Sequence, residues 1–216
     1  SDEALPLIIF LHGLGERAGG ATPDLSKLER TGLSEVLLTR DIPFMVISPQ
    51  VKYTWNGKAP NLDAFLDFLL DKYPRIDPTR VYVTGLSDGG KGVFDFSLHH
   101  KDRVAGIIPV ATWPSDAERV PISRKPYLGE PMIPVWGFMG LQDTYSYIPI
   151  QEWTDELILE GGDAELTLME GGHSEAVWNT VYEGETYDIY SWLLDYSNPA
   201  GAIRDNPVAD ANGTFA

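Results

Sequence analysis

Cysteine is absent from the chain, so disulfides, a thiolate nucleophile and a Cys-ligated metal are all excluded, and redox compartment leaves no trace. Histidine is scarce, at four residues, so any imidazole chemistry must fall to His12, His99, His100 or His173. Positive charge is also short: 16 Lys and Arg stand against 32 Asp and Glu, a formal net charge of −16. Phosphate backbones would be repelled by that surplus, so nucleic acid is not an expected partner, and adsorption to anionic lipid is disfavoured. A soluble acidic surface of the kind many environmental and extracellular enzymes carry accounts for the charge, and slightly favours a secreted or extracytoplasmic setting. No apolar run is long enough to insert in a membrane. The opening Ser1-Asp2-Glu3 is not a signal peptide, although a processed product would begin the same way.

What the chain does contain is an alternation of buried strands and amphipathic helices within 216 residues, enough for one domain with a sizeable core. Leu5 to Leu11 is a continuous apolar run, as a strand covered on both faces requires. A glycine-rich loop follows from His12 to Gly20, and Asp24 to Leu38 reads as helical with an interruption at Gly32. Phe44 to Ser48 predicts a second strand. Asn61 to Tyr73 predicts the clearest helix, because Leu62, Phe65, Leu66, Leu69 and Leu70 recur at helical spacing before Pro74. Asp77-Pro78 reads as a turn. Further strands are expected over 81–84, 104–110, 133–139 and 165–169, with helices over 93–98, 150–160, 176–182 and 186–194. Such alternation predicts a doubly wound, mostly parallel sheet flanked by helices. Periodicity stops near Ser197, so residues 1–197 are expected to form the folded domain and 198–216 a tail or linker. Asp210-Ala211-Asn212-Gly213 in that tail lacks the distal glutamate of a calcium loop, and no metal site is expected.

The stretch around which the rest is organised is Val81 to Gly92, in which four β-prone residues lead into Gly85-Leu86-Ser87-Asp88-Gly89 and then a helix. A serine on a sharp strand-to-helix turn takes a strained backbone conformation, and flanking glycines let strand and helix pass close by. That makes Ser87 the candidate nucleophile. A hydroxyl needs a base, and the base needs an orienting group. His99 and His100 end the helix and suit the capping of its carbonyls, whereas His173 follows the last short strand in a Gly-Gly-His loop. Asp143 follows another strand through Gly140-Leu141-Gln142. Asp163 and Glu175 lie nearer His173 in sequence. Asp163 belongs to a turn at the opposite edge, and Glu175 suits a helix N-terminus. Ser87, Asp143 and His173 then follow the order nucleophile, acid, base. Oxyanion donors are expected from the backbone N–H of Asp88 and, in the first glycine loop, of Leu14, with His12 bracing that loop.

Taken together, Phe10-Leu11-His12-Gly13-Leu14-Gly15-Glu16-Arg17, Gly85 to Gly90, Gly140 to Asp143 and Gly171-Gly172-His173-Ser174 resemble the α/β-hydrolase superfamily. The likeness is to small esterases of the phospholipase/carboxylesterase and polyhydroxybutyrate-depolymerase-like, or feruloyl esterase-like, type, over residues 5 to 195. It implies hydrolysis of carboxylic esters through an acyl-enzyme, without a cofactor. Two departures stand out. Asp88 occupies a position often held by Met or Gln, and its carboxylate must point away or pair with Lys91 or Arg17. The amino-terminal strands of many relatives are missing, which implies a minimal sheet or one part of a longer, multidomain chain.

No long apolar insertion separates Ser87 from Asp143, so a lidless, open site for short-chain or soluble esters is expected. Trp55, Trp113, Tyr145 and Trp178 are candidates for walling the pocket, unless they belong to the core, and Gln50 and Asn56 for orienting a polar leaving group. Two other functions fit the same residues: a serine peptidase of the same fold, or an inactive hydrolase fold used for binding.

Overall fold

The computed structural model describes residues 3–20, 22–115 and 132–202. Six strands form one sheet in the order β2-β1-β3-β4-β5-β6, with every neighbouring pair parallel. They are β1 (Leu5–Leu11), β2 (Met45–Ile47), β3 (Ile76–Leu86), β4 (Gly106–Val110), β5 (Val135–Gly140) and β6 (Ala164–Met169). The helices among the described residues are α1 (Gly32–Val36), α2 (Ala59–Lys72), α3 (Asp88–His99), α4 (Ile148–Leu159), α5 (Glu175–Glu183) and α6 (Ile189–Leu194).

The period-2 geometry of a strand divides the core in two. Leu7, Ile9 and Leu11 of β1 face one way, with Val81 and Val83, and pack under α2, α3 and α4. Ile8 and Phe10 face the other way, with Tyr82, and pack under α1, α5 and α6. The apolar run of β1 is therefore covered from both sides. Strand order reverses at β1 and β3, and the helices that follow these two strands lie on opposite faces. The loops leaving their carboxyl ends diverge and open a crevice at the sheet edge, where open α/β sheets bind ligands.

The elements depart from the sequence expectations in a few places. Residues 24–38 do not form one helix: a 3₁₀ segment, Leu25–Arg30, gives way at Gly32 (φ 63°) to the short α1. Asp77 and Pro78 lie inside β3 instead of preceding it. The pairing of β1 jumps there from Leu5↔Ile76 to Leu7↔Val81, so the turn-forming residues make a bulge. Asp77 Oδ1 caps that bulge by accepting from the N–H and the hydroxyl of Thr79, at 2.9 and 2.7 Å. Past α6 the chain stays attached as far as Ala202. Asn198 is buried and its Nδ2 donates to Lys101 and Val104 carbonyls, at 2.9 and 3.0 Å. The tail beyond, including Asp210 to Gly213, lies outside the described residues. So does most of the β4–β5 connection, residues 116–131, on which the lidless expectation rests.

Candidate active site

Ser87 stands between β3 and α3 with φ 54° and ψ −115°, a left-handed conformation that an L-residue keeps only when its surroundings hold it there. The holding contacts are visible. Its N–H donates to Val110 O of β4 at 2.9 Å. A Cβ on Gly85 would come within 2.7 Å of the Gly89 backbone, and one on Gly89 within 1.9 Å of Leu11 O, so neither position accepts a side chain. The close approach of β1, β3 and α3 drives the Ser87 hydroxyl outward.

Two other loops meet that hydroxyl. Asp143 leaves β5 with its side chain fully buried, and Oδ1 accepts from the Tyr145 N–H at 2.9 Å. His173 leaves β6, and its Nδ1 lies 2.8 Å from Asp143 Oδ2 while Nε2 lies 2.9 Å from Ser87 Oγ. With the carboxylate ionised, Nδ1–H donates to it, which leaves Nε2 to accept from the serine hydroxyl. Tyr145 and Trp178 meet the imidazole at 5.3 and 5.5 Å in edge-on contacts and limit its rotation. The three residues that the sequence singles out for chemistry are therefore contiguous, through 30 and 86 positions of chain separation.

A residue absent from the sequence-based assignment holds the two loops together. Gln142 Oε1 accepts from Gly171 N–H at 2.6 Å, its own N–H donates to Gly171 O at 2.9 Å, and its Nε2 donates to Glu170 at 2.9 Å. Gln142 thereby staples the Asp143 loop to the His173 loop. No local pattern announces this, because its partners lie in the loop that follows the neighbouring strand, β6.

Leu14, Ser87, Asp88, Trp113 and Tyr145 are among the residues that line a cleft of about 50 Å³ beside His173. Leu14 and Asp88 thus both border the space in front of Ser87, and no described residue accepts from either backbone N–H. Asp88 also begins α3, whose dipole favours negative charge at that end. Its carboxylate is turned to neither Lys91 nor Arg17. It accepts instead from the Thr54 hydroxyl at 2.8 Å and the Trp55 N–H at 3.1 Å, because two uncharged donors are within reach of a buried acid.

The expected substrate-contacting residues divide. Trp113 and Tyr145 line the cleft and pack on each other at 4.8 Å. Trp178 is buried behind His173 with Nε1–H donated to Thr31 Oγ1, so it supports the ring and does not line the cleft. Trp55 is a core residue, 1% exposed, whose Nε1–H donates to His12 O. Gln50 is not directed at the cleft either: it clamps the Glu16 and Asp24 backbone with three hydrogen bonds, Nε2 donating at 2.7 Å to both carbonyls and Oε1 accepting from Asp24 N–H. Asn56 is exposed in the loop, with its N–H on Thr54 Oγ1. A larger depression of about 580 Å³ opens between α1 and α5, walled by Glu35, Thr39, Arg40, Asn179 and Glu183, and its Thr39 hydroxyl donates to Val36 O at 3.3 Å, with no histidine among the described lining residues.

No family model and no curated protein matches the chain. Solved structures do resemble it. A thermostable esterase superposes with a TM-score of 0.68 at 24% identity, over 91% of this chain and 56% of that one. A fluorophosphonate-binding serine hydrolase of Staphylococcus aureus, in a substrate-bound state, gives a TM-score of 0.65 at 15% identity, over 89% and 84%. A ferulic acid esterase gives 0.62 at 14% identity, over 89% and 86%. The chain thus spans little more than half the length of the first of these.

Proposed function

We propose that this chain, which has the α/β-hydrolase fold, hydrolyses carboxylic esters through a covalent acyl-serine. The observation that carries the reading is the unbroken route from buried Asp143 through the His173 ring to Ser87 Oγ, at 2.8 and 2.9 Å. In this reading His173 Nε2 takes the Ser87 proton as Oγ attacks the ester carbonyl. Negative charge developing on the carbonyl oxygen is met by the N–H groups of Leu14 and Asp88, aided by the α3 dipole. The imidazolium returns its proton to the departing alkoxide, and an alcohol leaves. Water then attacks the acyl-serine, His173 takes one of its protons, and a carboxylic acid departs as Ser87 Oγ is reprotonated. Asp143 holds the ring in the tautomer this sequence needs and stabilises its protonated form. The small cleft, about 50 Å³, supports short-chain acyl groups over long ones.

Turnover of p-nitrophenyl acetate by wild type and Ser87→Ala tests the reading. The variant is expected to fold normally and lose roughly 10⁴-fold or more in kcat. Turnover by the variant at the wild-type rate would remove Ser87 from the chemistry.

A further inference from the structure

We propose that Lys91 is a specificity-determining residue that makes the cleft select esters carrying an anionic group close to the reacting carbonyl. The proposal rests on the ester-hydrolase reading of the same site.

Lys91 lies one helical turn beyond Ser87, its N–H directed at Ser87 O at 3.4 Å. Lys91 lines the same cleft as the Ser87 hydroxyl. Its ammonium has a defined station there. Nζ sits over the Trp113 ring, 5.3 Å from the centroid. Trp113 packs on Tyr145 at 4.8 Å, and Tyr145 meets His173 edge-on at 5.3 Å. A continuous wall from charge to base therefore flanks the space in front of Ser87. A ring face attracts a cation without neutralising it, and the ammonium hydrogens turned from Trp113 stay available to a ligand.

The surrounding charges sharpen the point. Asp88 is the one acid among the described residues lining the cleft, and Thr54 and Trp55 already occupy its carboxylate. No carboxylate pairs with Lys91 among the described residues. Arg17, beside the first glycine loop, donates to Leu14 O at 3.3 Å and is likewise without a carboxylate partner there. In a chain of net charge −16, an ammonium with no ion-pair partner among the described residues is a point at the cleft where an anion is attracted. Such an ammonium recognises carboxylate as a point charge.

Two ester pairs measured by pH-stat test this. Monomethyl succinate against methyl butyrate puts the charge on the acyl side, and acetoxyacetate against propyl acetate puts it on the alcohol side. For at least one pair, the ratio of kcat/KM for the anionic ester to that for the neutral one should fall about tenfold or more in Lys91→Met. It should fall further in Lys91→Glu, be largely kept in Lys91→Arg, and shrink with added NaCl. Ratios that stay within about twofold of wild type in Lys91→Met and Lys91→Glu, with both members of each pair hydrolysed, would overturn the proposal. Failure of wild type to hydrolyse any of the four esters would overturn the ester-hydrolase reading itself, and the proposal with it.

Discussion

His12 and His173 both open from glycine-rich loops at the same edge of the sheet, one after β1 and the other after β6, and their rings are used in opposite ways. His12 is buried, with Nε2 accepting from Val51 N–H at 3.1 Å and Nδ1–H donated to Gly13 O at 2.6 Å. Both nitrogens are spent on backbone, which ties the loop carrying Leu14 to the segment after β2. Burial holds the His12 imidazole below its ordinary value, so the neutral form is the one the fold selects. His173 spends neither nitrogen on backbone. One faces a carboxylate and the other a hydroxyl, at the end of a cleft. A ring satisfied by backbone braces its loop, whereas a ring between two side chains at a cleft can move a proton.

Removing each ring in turn should give the largest effects. His173→Ala should cost roughly 10⁴-fold in ester turnover while stability changes by less than about 2 kcal/mol. His12→Ala should do the reverse: a loss of about 2–4 kcal/mol, since two buried backbone groups lose their partner, with turnover per folded molecule falling no more than about 100-fold. Denaturant melts alongside p-nitrophenyl acetate assays read both quantities. Similar profiles for the two variants would erase the distinction.

A smaller effect follows from pH. An imidazole whose folded value is depressed leaves the unfolded chain binding more protons, so its contribution to stability is intact above the ordinary 6.5 and is lost as pH falls below it. His100, also lowered by burial, acts in the same direction. The melting temperature should therefore drop between pH 7 and 5, with a shallower slope in His12→Gln. An unchanged slope would deny His12 this part.

Much of this was legible in the sequence where local pattern dictates local structure. The apolar run of β1, the helical spacing in α2 and the glycine spacing around Ser87 each translate directly into burial, periodicity and a tight turn. What was hidden depends on contacts between distant segments. Trp55 and Trp113 both read as loop tryptophans, yet only the path of the loop over α3 decides that the first is core and the second lines a cleft. Gln50 reads as a polar group available to substrate, but the Glu16 and Asp24 backbone takes it up. Nothing local marks Gln142, because its partners, Glu170 and Gly171, belong to the neighbouring strand's loop. Asp77-Pro78 has turn chemistry, but the β1–β3 ladder takes these residues up inside β3 as a bulge.

In the proposed chemistry His173 makes Ser87 Oγ nucleophilic. Intact-mass and peptide mapping after reaction with an alkyl fluorophosphonate, timed in wild type and His173→Gln, reads this most directly. One adduct per chain is expected, on Ser87, formed roughly 100-fold or more slowly without the imidazole. An adduct on another residue, or equal labelling rates in the two proteins, would contradict it.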